Sequence, residues 1–223
     1  MSVMQLNVGY VDLLLLHWPS GVSNDVNDND SDIVSTTTTA TITDPMNIDW
    51  SLNNEYNNRQ RRFAAWQVLE DLYHKGWARA IGVSNFSAQH LKQLQDDGAT
   101  IVPMVNQIEA SVTLQYTDIV HYCINHNIVP QAYSPFGRQL TDLPIDVLQE
   151  MVKRHNKSDY GQIIIKYLLQ IGYSVVFLSN SPERMVSNMK VFDFYLSLTD
   201  ILTLKELSQP DGGWGLPSPD QLL

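Results

Sequence analysis

A rhythm of short apolar runs, each followed by residues at helical spacing, constrains this chain more than any other feature. Five such runs occur, at Tyr10–Leu16, Arg79–Val83, Ile101–Gln107, Ile128–Tyr133 and Tyr173–Leu178. Helical stripes separate them at Arg59–Trp77, Ser87–Gln95 and Thr117–His126, then at the pair Ile145–His155 and Tyr160–Ile171. Two more, Pro182–Val191 and Thr199–Leu207, follow the last run. Strands joined through helices pair in parallel, because a tight turn can only return a chain antiparallel. The expectation is an α/β fold with a parallel sheet.

The first run, Val11-Asp-Leu-Leu-Leu-Leu-His-Trp-Pro19, is apolar through Leu16 apart from Asp12. So short a run, ending on a polar residue and a proline, suits a strand buried on both faces. It delivers His17 and Trp18 to the strand's C-terminal end, which carries the active site in closed parallel barrels. On this stretch alone, His17 reads first as a hydrogen-bonded strand-end histidine. Five strands would also suit an open doubly wound sheet, but that fold carries a glycine-rich phosphate turn after its first strand. The chain has neither GxGxxG nor GxxxxGK[ST].

Local signals set the element ends. Gly76 marks the end of the first helix and Ser87 is a natural cap for the second. Arg59, Arg61 and Arg62 at the start of the first helix oppose its dipole and are read as a solvated basic face. Residues 21–58 differ in kind, being rich in Ser, Thr, Asp and Asn around the run Thr36–Thr43. They are expected to form a low-complexity loop insertion, disordered over Asn24–Thr43, with Trp50 returning to the body. The body is expected over residues 1–208, with an extended tail over 209–223.

Hydrophobic residues make up 43% of the 223 and charged residues 17%, enough apolar surface for a sizeable core. A formal net charge of −10 disfavours nucleic acid and anionic membranes as partners. Cys123 is the single cysteine, so no internal disulfide forms, and its apolar surroundings suit a packed helix thiol. No run is long enough to span a bilayer, and a cytoplasmic location is expected. The six histidines show no metal-ligand spacing, so no metal is expected. There is no GxSxG elbow.

Five motifs then occur in a telling order. They are Leu16-His17-Trp18-Pro19; Gly76 through Arg79-Ala80-Ile81-Gly82-Val83-Ser84-Asn85-Phe86; Asn106-Gln107-Ile108-Glu109; Tyr133-Ser134-Pro135-Phe136-Gly137; and Ser179 through Arg184 and Asn188 with Val191–Ser197. In this order the chain resembles the aldo-keto reductases over nearly its whole length, apart from the insertion and the tail. The resemblance implies an eight-stranded parallel (β/α)8 barrel, here incomplete, whose five strands resemble the fourth to the eighth. It also implies NADP(H) as cofactor and a small aldehyde or ketone as substrate.

Carried over residue by residue, the resemblance makes His17 the catalytic histidine that orients the carbonyl, which outweighs the plainer reading of this residue. Trp18 becomes a wall of the substrate pocket, with plain packing as the alternative. Ser84, Asn85 and Gln107 resemble the polar trio that grips the nicotinamide carboxamide, and Tyr133 the aromatic face that covers the ring. Ser134, Pro135 and Gly137 would line the pyrophosphate. Ser179, Arg184 and Asn188 match residues around the adenosine and its 2′-phosphate. The chain departs from the family at Phe177-Leu178, which replaces Pro-Lys and removes a charge from the 2′-phosphate site, and at Ser187, which replaces an acid. The family's catalytic aspartate, tyrosine and lysine have no counterpart here. Two readings follow: a carbonyl reductase, inactive as these 223 residues alone, or a non-catalytic regulatory or binding subunit of the same family.

Overall fold

The computed structural model describes residues 8–19, 55–137, 143–209 and 219. The expected insertion as far as residue 54, with its disordered stretch and Trp50, lies outside the described residues, as does the tail beyond residue 209 apart from Pro219. The chain divides into two compact units, one of Met1–Met104 with Pro219–Leu223 and one of Val105–Ser218.

The first unit is a strand–helix–strand–helix run: β1 (Leu14–Leu16), α1 (Glu55–His74), β2 (Ile81–Ser84) and α2 (Ala88–Asp96). β1 and β2 are parallel, with Leu14 opposite Ile81 and Leu16 opposite Val83. An isolated bridge at Val11 and Ala78 extends the pairing. The expected strand from Tyr10 therefore ladders continuously over only three residues. β2 is fully buried, whereas Leu14–Leu16 stay half-buried. α1 packs on both strands, but the cover over β1 is incomplete, contrary to the two-sided burial its sequence suggests.

α1 begins at Glu55, inside the stretch expected to be a loop. That start explains the arginines, which stand beyond the first turn and so do not oppose the dipole there. Nor do they form a solvated face. Arg59 makes a forked contact with Asp97 (Nη2 to Oδ1 2.6 Å, Nε to Oδ2 2.9 Å). Arg62 is buried, at 3% exposure. The buried line of α1 is Asn58, Arg62, Trp66, Leu69 and Glu70, while Val68 is exposed. Charged residues hold inward positions because each has partners. Glu70 accepts from the amides of Thr100 (2.7 Å) and Ile101 (2.8 Å). Gly76, at φ +74°, closes the helix as expected, with Trp77 N–H donating to the Leu72 carbonyl. α2 starts on a capping box in which Ser87 Oγ accepts from His90 N–H and His90 Nδ1 accepts from Ser87 N–H.

The second unit continues with β3 (Val105–Glu109), α3 (Thr117–Asn125), β4 (Val129–Tyr133), α4 (Ile145–Arg154), α5 (Tyr160–Gln170), β5 (Ser174–Val175), α6 (Pro182–Asn188) and α7 (Leu198–Lys205). β3 and β4 are parallel from Val105 opposite Val129 to Glu109 opposite Tyr133, and β5 runs parallel to β4. Its core is α5, in which Gly161 through Leu168 are all buried. Gln115 ties the loop after β3 to the helices. Its amide donates to the carbonyls of Val112 (2.8 Å) and Leu204 (3.0 Å), and it accepts from Tyr167 and Tyr173 hydroxyls at 2.9 Å each. Cys123 is buried, as expected, and burial pushes its thiol up to about 11.

Candidate active site

The first unit brings four of the expected site residues together at the C-terminal ends of β1 and β2. Asn85 follows β2 in a left-handed conformation, φ 61°, a geometry that asparagine tolerates better than most residues. The turn aims its amide back at β1. Nδ2 donates to the His17 carbonyl at 3.1 Å and to Ser84 Oγ at 3.2 Å. Ser84 and Asn85 are buried, and His17 is exposed. Trp18 is half-buried, its ring centroid 5.5 Å from that of His17. A strand end thus presents an imidazole beside an indole, with the backbone beneath them tied by a buried amide.

The second unit places Gln107 and Tyr133 near the ends of β3 and β4. Gln107 stands opposite Gln131 across the ladder and donates to its Oε1 at 2.6 Å. Tyr133 is half-buried. Burial first, then the Glu109 carboxylate and Tyr116, push its phenol well above the ordinary tyrosine range. The phenol is thereby a weaker acid than an ordinary tyrosine, which suits a stacking face better than a tuned proton donor. After it, Ser134 turns at φ 51° and Gly137 at φ 68°, where glycine carries no Cβ penalty. The turn closes with Gly137 N–H donating to the Ser134 carbonyl at 2.9 Å, and Pro135 lies between them.

The remaining expected residues lie on and before α6. Ser179 Oγ donates to the Ser181 carbonyl at 3.3 Å. Ser181 caps α6, accepting from Arg184 N–H at 3.3 Å and donating to Glu183 Oε2 at 2.7 Å. The Ser181 hydroxyl holds the Glu183 carboxyl below the ordinary range. Arg184 is exposed and Asn188 buried. Leu178 is 86% exposed.

Sequence reasoning missed the close packing of Asp159, Asn188 and Phe136 around Gly161. A Cβ built on Gly161 would stand 3.1 Å from Asn188 Oδ1, 3.4 Å from Phe136 Cε1 and 2.7 Å from Asp159 Oδ1. Phe136 in turn meets Phe177 edge-on at 5.7 Å. A glycine in the first turn of an otherwise apolar helix was the available signal, since it costs about 1 kcal/mol against alanine and so needs a reason. A glycine at 161 lets backbone, amide and aromatic edge pack this closely in the second unit. The positive-φ turn over Ser134 and Gly137 and the exposed Arg184 are of the kinds that fit the phosphates of a nicotinamide dinucleotide. Among the described residues no group of three or more His, Cys, Asp or Glu side chains could hold a metal. No helix among them is long and apolar enough to cross a membrane.

The model of the aldo/keto reductase family matches residues 1–209. Aldehyde reductase YPR1 of Saccharomyces cerevisiae is 33% identical over 214 residues, covering 95% of this chain and 64% of that protein. The solved structure of MGS-M4, an aldo-keto reductase from a Medee basin deep-sea metagenome library, is 32% identical with a TM-score of 0.69, over 92% of this chain and 62% of that one. The Bombyx mori aldo-keto reductase AKR2E4, solved in complex with NADP, is 26% identical with a TM-score of 0.70, over 92% of this chain and 60% of that one. This chain spans a little under two thirds of the length of the curated relatives it matches. The parallel α/β architecture is that of an incomplete barrel of this type.

Proposed function

The chain belongs to the aldo/keto reductase family, and from that membership we propose that it is the cofactor-bearing portion of an NADP(H)-dependent carbonyl reductase. The observation that carries this is the Asn85 tie. It holds His17 at one strand end from the next, at positions where family members orient a carbonyl and the nicotinamide. NADP(H), when bound, supplies the hydride. Everything else asked of these 223 residues is binding and orientation.

His17 points a carbonyl oxygen, and its polar ring favours charge that develops there. Trp18 excludes water from one side of the substrate. Ser84, Asn85 and Gln107 fix the facing of the nicotinamide ring through its carboxamide, and the neutral Tyr133 ring covers its far face. Ser134, Pro135 and Gly137 line the pyrophosphate, the two positive-φ turns exposing backbone to it. Ser179, Arg184 and Asn188 receive the adenosine. The substrate is a small aldehyde or ketone, in keeping with the yeast relative being an aldehyde reductase.

A second reading, a non-catalytic binding subunit, draws support from Leu178. Its exposed apolar side chain stands where family members place a lysine. Titrating the chain with NADPH while following cofactor fluorescence tests the proposal. Saturable binding that Tyr133→Ala and Arg184→Ala each weaken is expected. No binding at millimolar cofactor would overturn it. Binding without reduction in a chain extended to full family length would favour the second reading.

A further inference from the structure

We propose that Arg62 is a positioning residue for His17, an inference that rests on the carbonyl-reductase reading. β1 is short, and its end is a poor place to fix a reacting group. Pro19 has no N–H to donate, and it confines Trp18 before it to extended conformations. Side chains from two other elements fix the segment by its carbonyls instead. Asn85 Nδ2 holds the His17 carbonyl at 3.1 Å. Two residues on, Arg62 Nη1 of α1 donates to the Pro19 carbonyl at 3.0 Å. The two contacts bracket Trp18 and restrain the backbone from the His17 carbonyl to Pro19.

Arg62 is itself clamped, its Nη2 donating to Gln93 Oε1 of α2 at 2.7 Å. The planar fork serves an acceptor on each branch, a geometry lysine cannot reproduce. Burying a guanidinium carries a large desolvation cost that its contacts must offset, and an apolar side chain would fill the same place in α1 without it. The charge is therefore retained where it holds the strand end. α1, α2 and the ends of β1 and β2 become one frame around His17, so that the ring is set before substrate arrives.

Two measurements on the 223-residue chain test this. Deuterium exchange of the peptide covering Leu14–Trp18 should quicken in Arg62→Lys and in Gln93→Ala. It should stay unchanged in Arg59→Lys, whose residue pairs with Asp97 instead. Diethyl pyrocarbonate acylates neutral imidazoles, and the exposed His74, His121 and His126 are internal standards. NADPH should slow acylation of His17 in the parent, and Arg62→Lys should abolish that protection while leaving the standards alone. Equal protection in the parent and in Arg62→Lys would overturn the proposal. Global unfolding by both Arg62→Lys and Gln93→Ala would also overturn it, by assigning the contacts to the scaffold. Absence of NADPH protection in the parent would overturn the cofactor reading instead. Exchange would then decide Arg62: faster exchange keeps the tie, and unchanged exchange removes it.

Discussion

Asp200 shows how single residues settle what this fold tolerates. It is fully buried on α7. Burial pushes its carboxyl up, but hydrogen bonds from the Ser197 hydroxyl and amide, then from His155, and the charge of Arg154 outweigh that and hold it below the ordinary range. A depressed folded value stabilises the native state above the unfolded carboxyl value of about 3.9, and that contribution is lost as pH falls through the folded value. Asp200→Asn should therefore cost about 2 kcal/mol at neutral pH and flatten the acid limb of a stability profile below about pH 4. An unchanged acid limb in urea titrations at several pH values would show that the carboxylate is not what titrates. Leu178 is the residue whose change should gain something. Leu178→Lys should favour NADPH over NADH by roughly 1 kcal/mol or more, as for one charge-assisted phosphate contact. Equal affinity of that variant for both cofactors would remove the 2′-phosphate from this place.

The elements were legible where packing obeys a period. Each of the five parallel strands overlaps its expected run, but β3 begins at Val105 where Ile101 was expected, and β5 keeps only Ser174–Val175 of Tyr173–Leu178. Most of the helices lie where their patterns put them, and Ser87 and Gly76 cap and close as their chemistry dictates. His17, Ser84 and Asn85 were legible as strand-end polar groups, although nothing local announced that Asn85 turns back on His17. What stayed hidden depends on distant partners. Glu55 starts α1 inside low-complexity sequence, because helix formation there is decided by what α1 packs against and not by composition. Arg62 and Glu70 look solvated until their acceptors and donors, 30 to 43 residues away, are known. Gln115 gives no sign of gathering two tyrosines and two carbonyls. α5 carries a prediction of its own. Gly161→Ala gains helix propensity of about 1 kcal/mol, but its Cβ would crowd Asp159, whose Oδ1 already accepts from Gly161 N–H at 2.6 Å. A net loss of about 1–2 kcal/mol is expected from overpacking, together with weaker NADPH binding. A variant more stable than its parent in chemical denaturation would show that Asp159 and Asn188 yield freely.

At the scale of the whole molecule, apolar surface stands open. In the second unit Leu178, Phe192, Tyr195 and Leu198 are each 70% exposed or more, and Met185, Val186 and Met189 are exposed beside them in sequence. Side chains of this size in solvent favour association. The isolated 223-residue chain is expected to self-associate or to bind hydrophobic dyes. A monodisperse monomer with one sharp thermal transition would contradict this. The central claim is that these residues hold the cofactor and orient the carbonyl but supply no proton donor. A tuned donor is worth about 10²–10⁴ in rate, and the walls that position both reactants add to its effect. The most direct measurement compares NADPH consumption with a simple aldehyde by the 223-residue chain and by the same chain joined to a family-like N-terminal segment bearing the aspartate, tyrosine and lysine. The account predicts no turnover by the first, turnover by the second, and a lower rate when His17→Ala is made in the second. Turnover by the unextended chain that disappears on His17→Ala would contradict it, because the proton donor would then lie among these 223 residues.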